Sequence, residues 1–128
     1  MILTENIFFI GALYGLLAVC FGAFGSHALK KKLTPEQLQS FETGVKYQMY
    51  HALVLLILGW AVSFQKTSDT LMAWCFVLGV FLFSFSIYGL VLSASAGKKM
   101  RWLGPVTPLG GLLLVLGWGL LAYHLLVS

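Results

Sequence analysis

The side chains in this sequence that could do chemistry gather where polar segments give way to apolar runs. The stretch Phe41-Glu42-Thr43-Gly44-Val45-Lys46-Tyr47-Gln48-Met49-Tyr50-His51 carries an ammonium (Lys46), a phenol (Tyr47), an amide (Gln48) and an imidazole (His51) into an apolar segment. Ser26 and His27 close the apolar run before it, and Ser86, Tyr88 and Thr107 lie near the ends of the two runs after it. Two histidines at similar depth on neighbouring helices, His27 and His51, could ligate a haem or a metal. No c-type attachment motif or third ligand cluster accompanies them, so the expectation is no cofactor and no metal. Catalysis has thin support. No Asp or Glu falls inside an apolar run, and no serine sits in a nucleophile motif, so a non-enzyme is expected. A proton-coupled exporter of the small multidrug resistance type has a similar length and span count, but it relies on an intramembrane glutamate that this chain lacks.

The elements that position these residues follow from composition. Of 128 residues, 59% are hydrophobic and 9% charged, with a mean hydropathy of +0.91. Soluble domains are about a quarter charged, so the solvent for most of this chain is lipid. The net charge of +4 sits in short loops, where Lys30, Lys31, Lys32, Lys98, Lys99 and Arg101 suit anionic lipid headgroups rather than nucleic acid. Cys20 and Cys75 lie inside apolar runs at depths that differ by roughly 13 Å, too far to bridge, and read as small buried residues. Ser26-His27-Ala28 resembles a signal-peptide cleavage site. The first residues, however, carry Glu5 and no Lys or Arg, and the apolar run outlasts an h-region of about 7–15 residues, so a retained anchor is expected.

The expected spans are residues 7–29, 44–64, 71–94 and 106–127, each near the length needed for about 30 Å of hydrocarbon. Gly11, Gly15, Ala18, Gly22 and Gly25 form a small-residue seam on the first, and Gly79, Ser86, Gly89 and Ser93 another on the third. Thr34, Pro35 and Gln37 read as an N-cap, N1 and capping-box set. They open a short amphipathic helix over residues 35–44 that lies at the membrane surface and leads into the second span, with Glu42 and Lys46 spaced to pair. The fold class is therefore all-α, an integral-membrane four-helix bundle in a single domain, and its small-residue faces suggest a homo-oligomer.

The first and third loops hold six basic residues against Lys66 alone on the other side, which puts both basic loops in the cytoplasm and both termini outside a plasma membrane. On that topology Ser26, His27, Thr43, Lys46, Tyr47, Gln48, His51, Ser86, Tyr88 and Thr107 all fall in the cytoplasmic half. Unpaired polar groups cost several kcal/mol each in hydrocarbon, so they should meet inside the bundle as a network or pocket open toward the cytoplasm. His124, near the outer end, reads as an interfacial residue. Three readings of the cluster stand open: a structural network in a membrane organiser or stabiliser, a binding site of a carrier or channel for a small solute, ion or lipid headgroup, and bis-histidine ligation.

Gly22-Ala23-Phe24-Gly25-Ser26-His27-Ala28-Leu29, Phe41-x-Thr43-Gly44-x-x-Tyr47-Gln48-x-x-His51-Ala52-Leu53, and Thr107-Pro108-x-Gly110-Gly111 with Gly117-Trp118 together resemble one family. It is the small four-span bacterial membrane-protein family of unknown function typified by YwdK and YgdD, which has a eukaryotic transmembrane relative. The resemblance covers nearly the whole chain and implies location and span architecture, not a reaction. It also implies an association with membrane integrity, as in Gram-positive relatives. Phe85 departs from the pattern, standing where that family commonly has a small residue between two serines.

Overall fold

A computed structural model describes residues 4–128 of the chain. The described residues form no strand, and four long helical segments account for most of them. The first is α1 (Thr4–Val19), continued by a π-helical stretch (Cys20–Gly25) and by α2 (Ser26–Leu29). The others are α3 (Pro35–Ala61), α4 (Thr67–Ser95) and α5 (Val106–Val127). Three of them, Thr4–Leu29, Thr67–Ser95 and Arg101–Val127, are long and apolar enough to cross a membrane.

Local sequence sets where the helices start and stop. At the start of α3 the Thr34 hydroxyl accepts from the Gln37 amide N–H and the Gln37 side chain accepts from the Thr34 N–H, each at 3.1 Å, with Pro35 at the first helical position. The expected interfacial helix and second span are one unbroken helix. After it Phe64 adopts φ 56, a left-handed conformation uncommon for a bulky residue, while its side chain stays buried. Helix α4 ends at Ser95, and Gly97 beyond it, with a φ of +81, closes a Schellman turn: Gly97 N–H donates to the Ala94 carbonyl and Lys98 N–H to the Ser93 carbonyl. The π-helical stretch has no counterpart in the sequence expectation. Gly22 and Gly25, having no Cβ, let this wider coil lie against Val45 and Phe41.

Helix α1 packs on α3, α3 on α4, and α4 on α5. The small-residue seams serve these contacts. A Cβ on Gly11 would sit 3.2 Å from the Ala52 carbonyl, and one on Gly44 would sit 2.8 Å from the Tyr88 ring. The α4–α5 seam is tighter still, since a Cβ on Gly110 would strike the Phe83 backbone nitrogen. The faces from which self-association was expected are thus largely occupied within the chain. Leu33, Phe41, Tyr88 and Val91 cluster together, which puts the two basic loops at the same end of the molecule. Large apolar side chains face outward on every long helix, among them Phe9, Trp60, Phe81 and Leu126. Exposed apolar side chains on every long helix suit lipid contact.

Candidate functional site

Gln48 sits at the middle of α3 with no exposed surface. Its Nε2 donates to the Tyr14 backbone carbonyl at 2.9 Å, and its Oε1 accepts from the Tyr88 hydroxyl at 2.7 Å. A carbonyl can only accept, so the amide NH₂ must face Tyr14 and the amide orientation is fixed. The Tyr14 hydroxyl donates in turn to the Val77 carbonyl at 2.7 Å. One amide therefore joins α1, α3 and α4. Beside it the Ser84 hydroxyl donates to the Gly44 carbonyl at 2.7 Å, where the missing Cβ of Gly44 admits the Tyr88 ring. Phe85 leaves both neighbouring serines bonded and lays its ring against Phe21 and Tyr88.

One turn further along α3, His51 is buried between Phe76 and Trp118. The Trp118 indole donates to its Nε2 at 3.1 Å. An indole N–H has no acceptor capacity, so Nε2 holds a lone pair and Nδ1 carries the proton, donating it to the Tyr47 carbonyl at 2.6 Å. His51 is thereby a neutral imidazole with both nitrogens engaged, tying α5 to α3. It has no position left for a haem or metal ion, which counts against the bis-histidine arrangement. His27 is exposed on α2 and takes no part in the network.

A third link lies nearer the basic end. The Ser86 hydroxyl donates to the Phe83 carbonyl at 2.9 Å and lies 2.6 Å from the Thr107 hydroxyl, joining α4 to the first turn of α5. At the opposite end His124 Nδ1 meets Asp69 Oδ1 at 2.8 Å, where Asp69 is buried in the first turn of α4. This corrects two sequence expectations. Helix α4 begins four residues before the expected span and so carries a carboxylate into the bundle, and His124 pairs with that carboxylate rather than standing alone at an interface.

Of the residues expected to converge, Gln48, Tyr88 and His51 lie inside, and Ser86 and Thr107 join each other. Thr43 is half-buried and bonds only back to the Gln39 carbonyl, and Ser26 is half-buried. Lys46 is exposed and Tyr47 is 40% exposed. Lys46 and Glu42 form no ion pair, since the one such pair among the described residues is Asp69–His124. Gln48, His51 and Tyr88 line no part of the cleft of about 820 Å³ found at the basic end, where Thr107 is the only member from the expected set. Tyr14, Ser84, Asp69 and Trp118 went unforeseen. A tyrosine or tryptophan inside an apolar run needs a partner for its O–H or N–H, and that signal was available for Tyr14 and Trp118.

The family model described as "Protein of unknown function (DUF423)" matches residues 21–111, which hold Gln48, His51, Ser84, Tyr88 and Thr107. The chain belongs to the DUF423 family. Among DUF423 relatives, a UPF0382 membrane protein of Staphylococcus haemolyticus is 40% identical over 109 residues, covering 85% of each chain. The UPF0382 membrane protein YwdK of Bacillus subtilis is 40% identical over 111 residues, 85% of this chain and 86% of its own. A UPF0382 membrane protein of Schizosaccharomyces pombe is 39% identical over 110 residues, 85% of this chain and 92% of its own. No solved structure matches. The DUF423 assignment makes this a membrane protein of a family without an established activity, and none of these relatives carries an enzymatic name.

Proposed function

We propose that the chain is a non-enzymatic organiser or stabiliser of the plasma membrane whose interior polar network holds four crossing helices in register. In this reading α3 is a fourth span, the basic loops lie in the cytoplasm against anionic headgroups, and both termini lie outside. The observation that carries the structural role is closure: among the described residues, no buried side-chain nitrogen or oxygen lacks a hydrogen-bond partner. A solute or ion site would hold donors or acceptors that only the ligand completes. Here Gln48, Tyr88, His51 and Trp118 complete one another or take backbone carbonyls.

The test is His51→Ala, read by thermal unfolding in detergent and by dye leakage of cells that depend on the protein. A structural network predicts that melting temperature and membrane phenotype fall together. Loss of phenotype with melting unchanged would overturn this reading in favour of a carrier or channel that uses His51 as a binding group.

A further inference from the structure

The cleft at the basic end is built differently from the closed interior. Its walls come from the first turns of α3, the last turns of α4, the 96–105 loop and the start of α5. Glu36 enters from α3, and Lys99 and Arg101 enter from the loop. These opposite charges line one cavity of about 820 Å³, yet no ion pair joins them. The loop that carries the two cations is tied down. The Lys98 N–H bonds the Ser93 carbonyl at 3.0 Å, the Met100 N–H bonds the Ser93 hydroxyl at 3.0 Å, and the Leu103 N–H bonds the Met100 carbonyl at 3.1 Å. Below this charged mouth the floor is apolar, formed by Ile87, Leu90, Val91 and Ala94 of α4.

We propose that this cleft binds a phosphodiester carrying a primary amine, the headgroup chemistry of an ethanolamine-type glycerophospholipid. Lys99 and Arg101 receive the phosphate. Glu36 receives the ammonium. The α4 floor receives the first methylenes of the acyl chains, continuing toward the membrane-facing surface of the bundle. A purely anionic headgroup leaves Glu36 facing negative charge, and a quaternary amine has no N–H to donate to it. This deepens the reading of the basic end as a membrane-surface end and rests on it.

The experiment is native mass spectrometry of the full chain in detergent with equimolar phosphatidylethanolamine, phosphatidylglycerol and phosphatidylcholine. The wild type should retain phosphatidylethanolamine about fivefold over the other two, the scale of one partly exposed charge pair. Glu36→Gln should abolish that preference while keeping phospholipid bound. Lys99→Gln with Arg101→Gln should remove retention of all three. Circular dichroism checks that each variant folds. Displacement by soluble glycerophosphoethanolamine would identify the headgroup alone as the ligand, and retention against it would identify the bilayer lipid; both support the site. Absence of preference in the wild type, or preference that survives Glu36→Gln, overturns it. Retention in detergent depends neither on the direction of insertion nor on the His51 network, so its failure is distinguishable from failure of the structural reading.

Discussion

An amide buried in the middle of a membrane protein is unfavourable unless both its ends are occupied, and Gln48 meets that condition with a carbonyl on one side and a phenol on the other. Gln48→Leu keeps the bulk and orphans the Tyr88 hydroxyl. The expected loss is roughly 1–2 kcal/mol, near the upper end of what hydrogen bonds between membrane helices contribute. Tyr88→Phe should cost less, and the double variant should cost less than the sum, because each single change removes the same bond. Additive losses in detergent unfolding would mean that the two groups are not coupled. Gln48, His51 and Tyr88 are legible in the sequence as polar groups in an apolar run, but the other partners of Gln48 and His51 were missed. Two partners are main-chain carbonyls, which every residue carries, and Trp118 counts as apolar on most scales. Asp69 escaped notice for another reason: the apolar run begins after it, whereas the helix begins before it.

Between helices, the glycines determine how closely the elements approach, and they are not equivalent. A methyl on Gly117 meets only the Phe76 ring, and one on Gly79 meets the Leu114 side chain first and the Leu114 backbone nitrogen only at 3.1 Å. A methyl on Gly110 meets the backbone of Leu82 and Phe83, which can move only if α4 and α5 separate. Gly110→Ala should therefore cost about 1–3 kcal/mol through overpacking and break the Ser86–Thr107 contact nearby. Gly119→Ala meets nothing within 4 Å and should leave melting unchanged or slightly raised. Equal effects of the two substitutions would contradict this account of the α4–α5 seam. The glycine spacing was legible as a set of close helix contacts. Whether those contacts lie within one chain or between copies was not, because the same small-residue face serves either. The π-helical stretch was hidden as well, since one extra residue in a turn leaves an apolar run looking unchanged.

At the scale of the whole molecule, the number of crossings turns on α3. Average hydropathy singles out three helices and passes over α3, because it sums around the helix without regard to direction. In α3 the polar Gln48 and His51 face inward, and past the exposed Lys46 and Tyr47 at the basic end the outward face carries Tyr50, Leu53, Ile57 and Trp60. At about 1.5 Å per residue the apolar part of α3, residues 44–61, reaches about 27 Å, close to the hydrocarbon thickness. The positions that decide the matter are Lys32 and Ser63, both exposed and just outside the two ends of α3. With Cys20 and Cys75 replaced by Ala, an impermeant maleimide on intact cells should label Ser63→Cys and spare Lys32→Cys, and permeabilisation should expose both. Ala96→Cys, on the other basic loop, should behave as Lys32→Cys does, since the two loops share one end of the molecule. Labelling of Lys32→Cys and Ser63→Cys from the same side would put α3 flat on the membrane and reduce the crossings to three. Labelling of the basic loops from outside would reverse the orientation that the six basic residues favour.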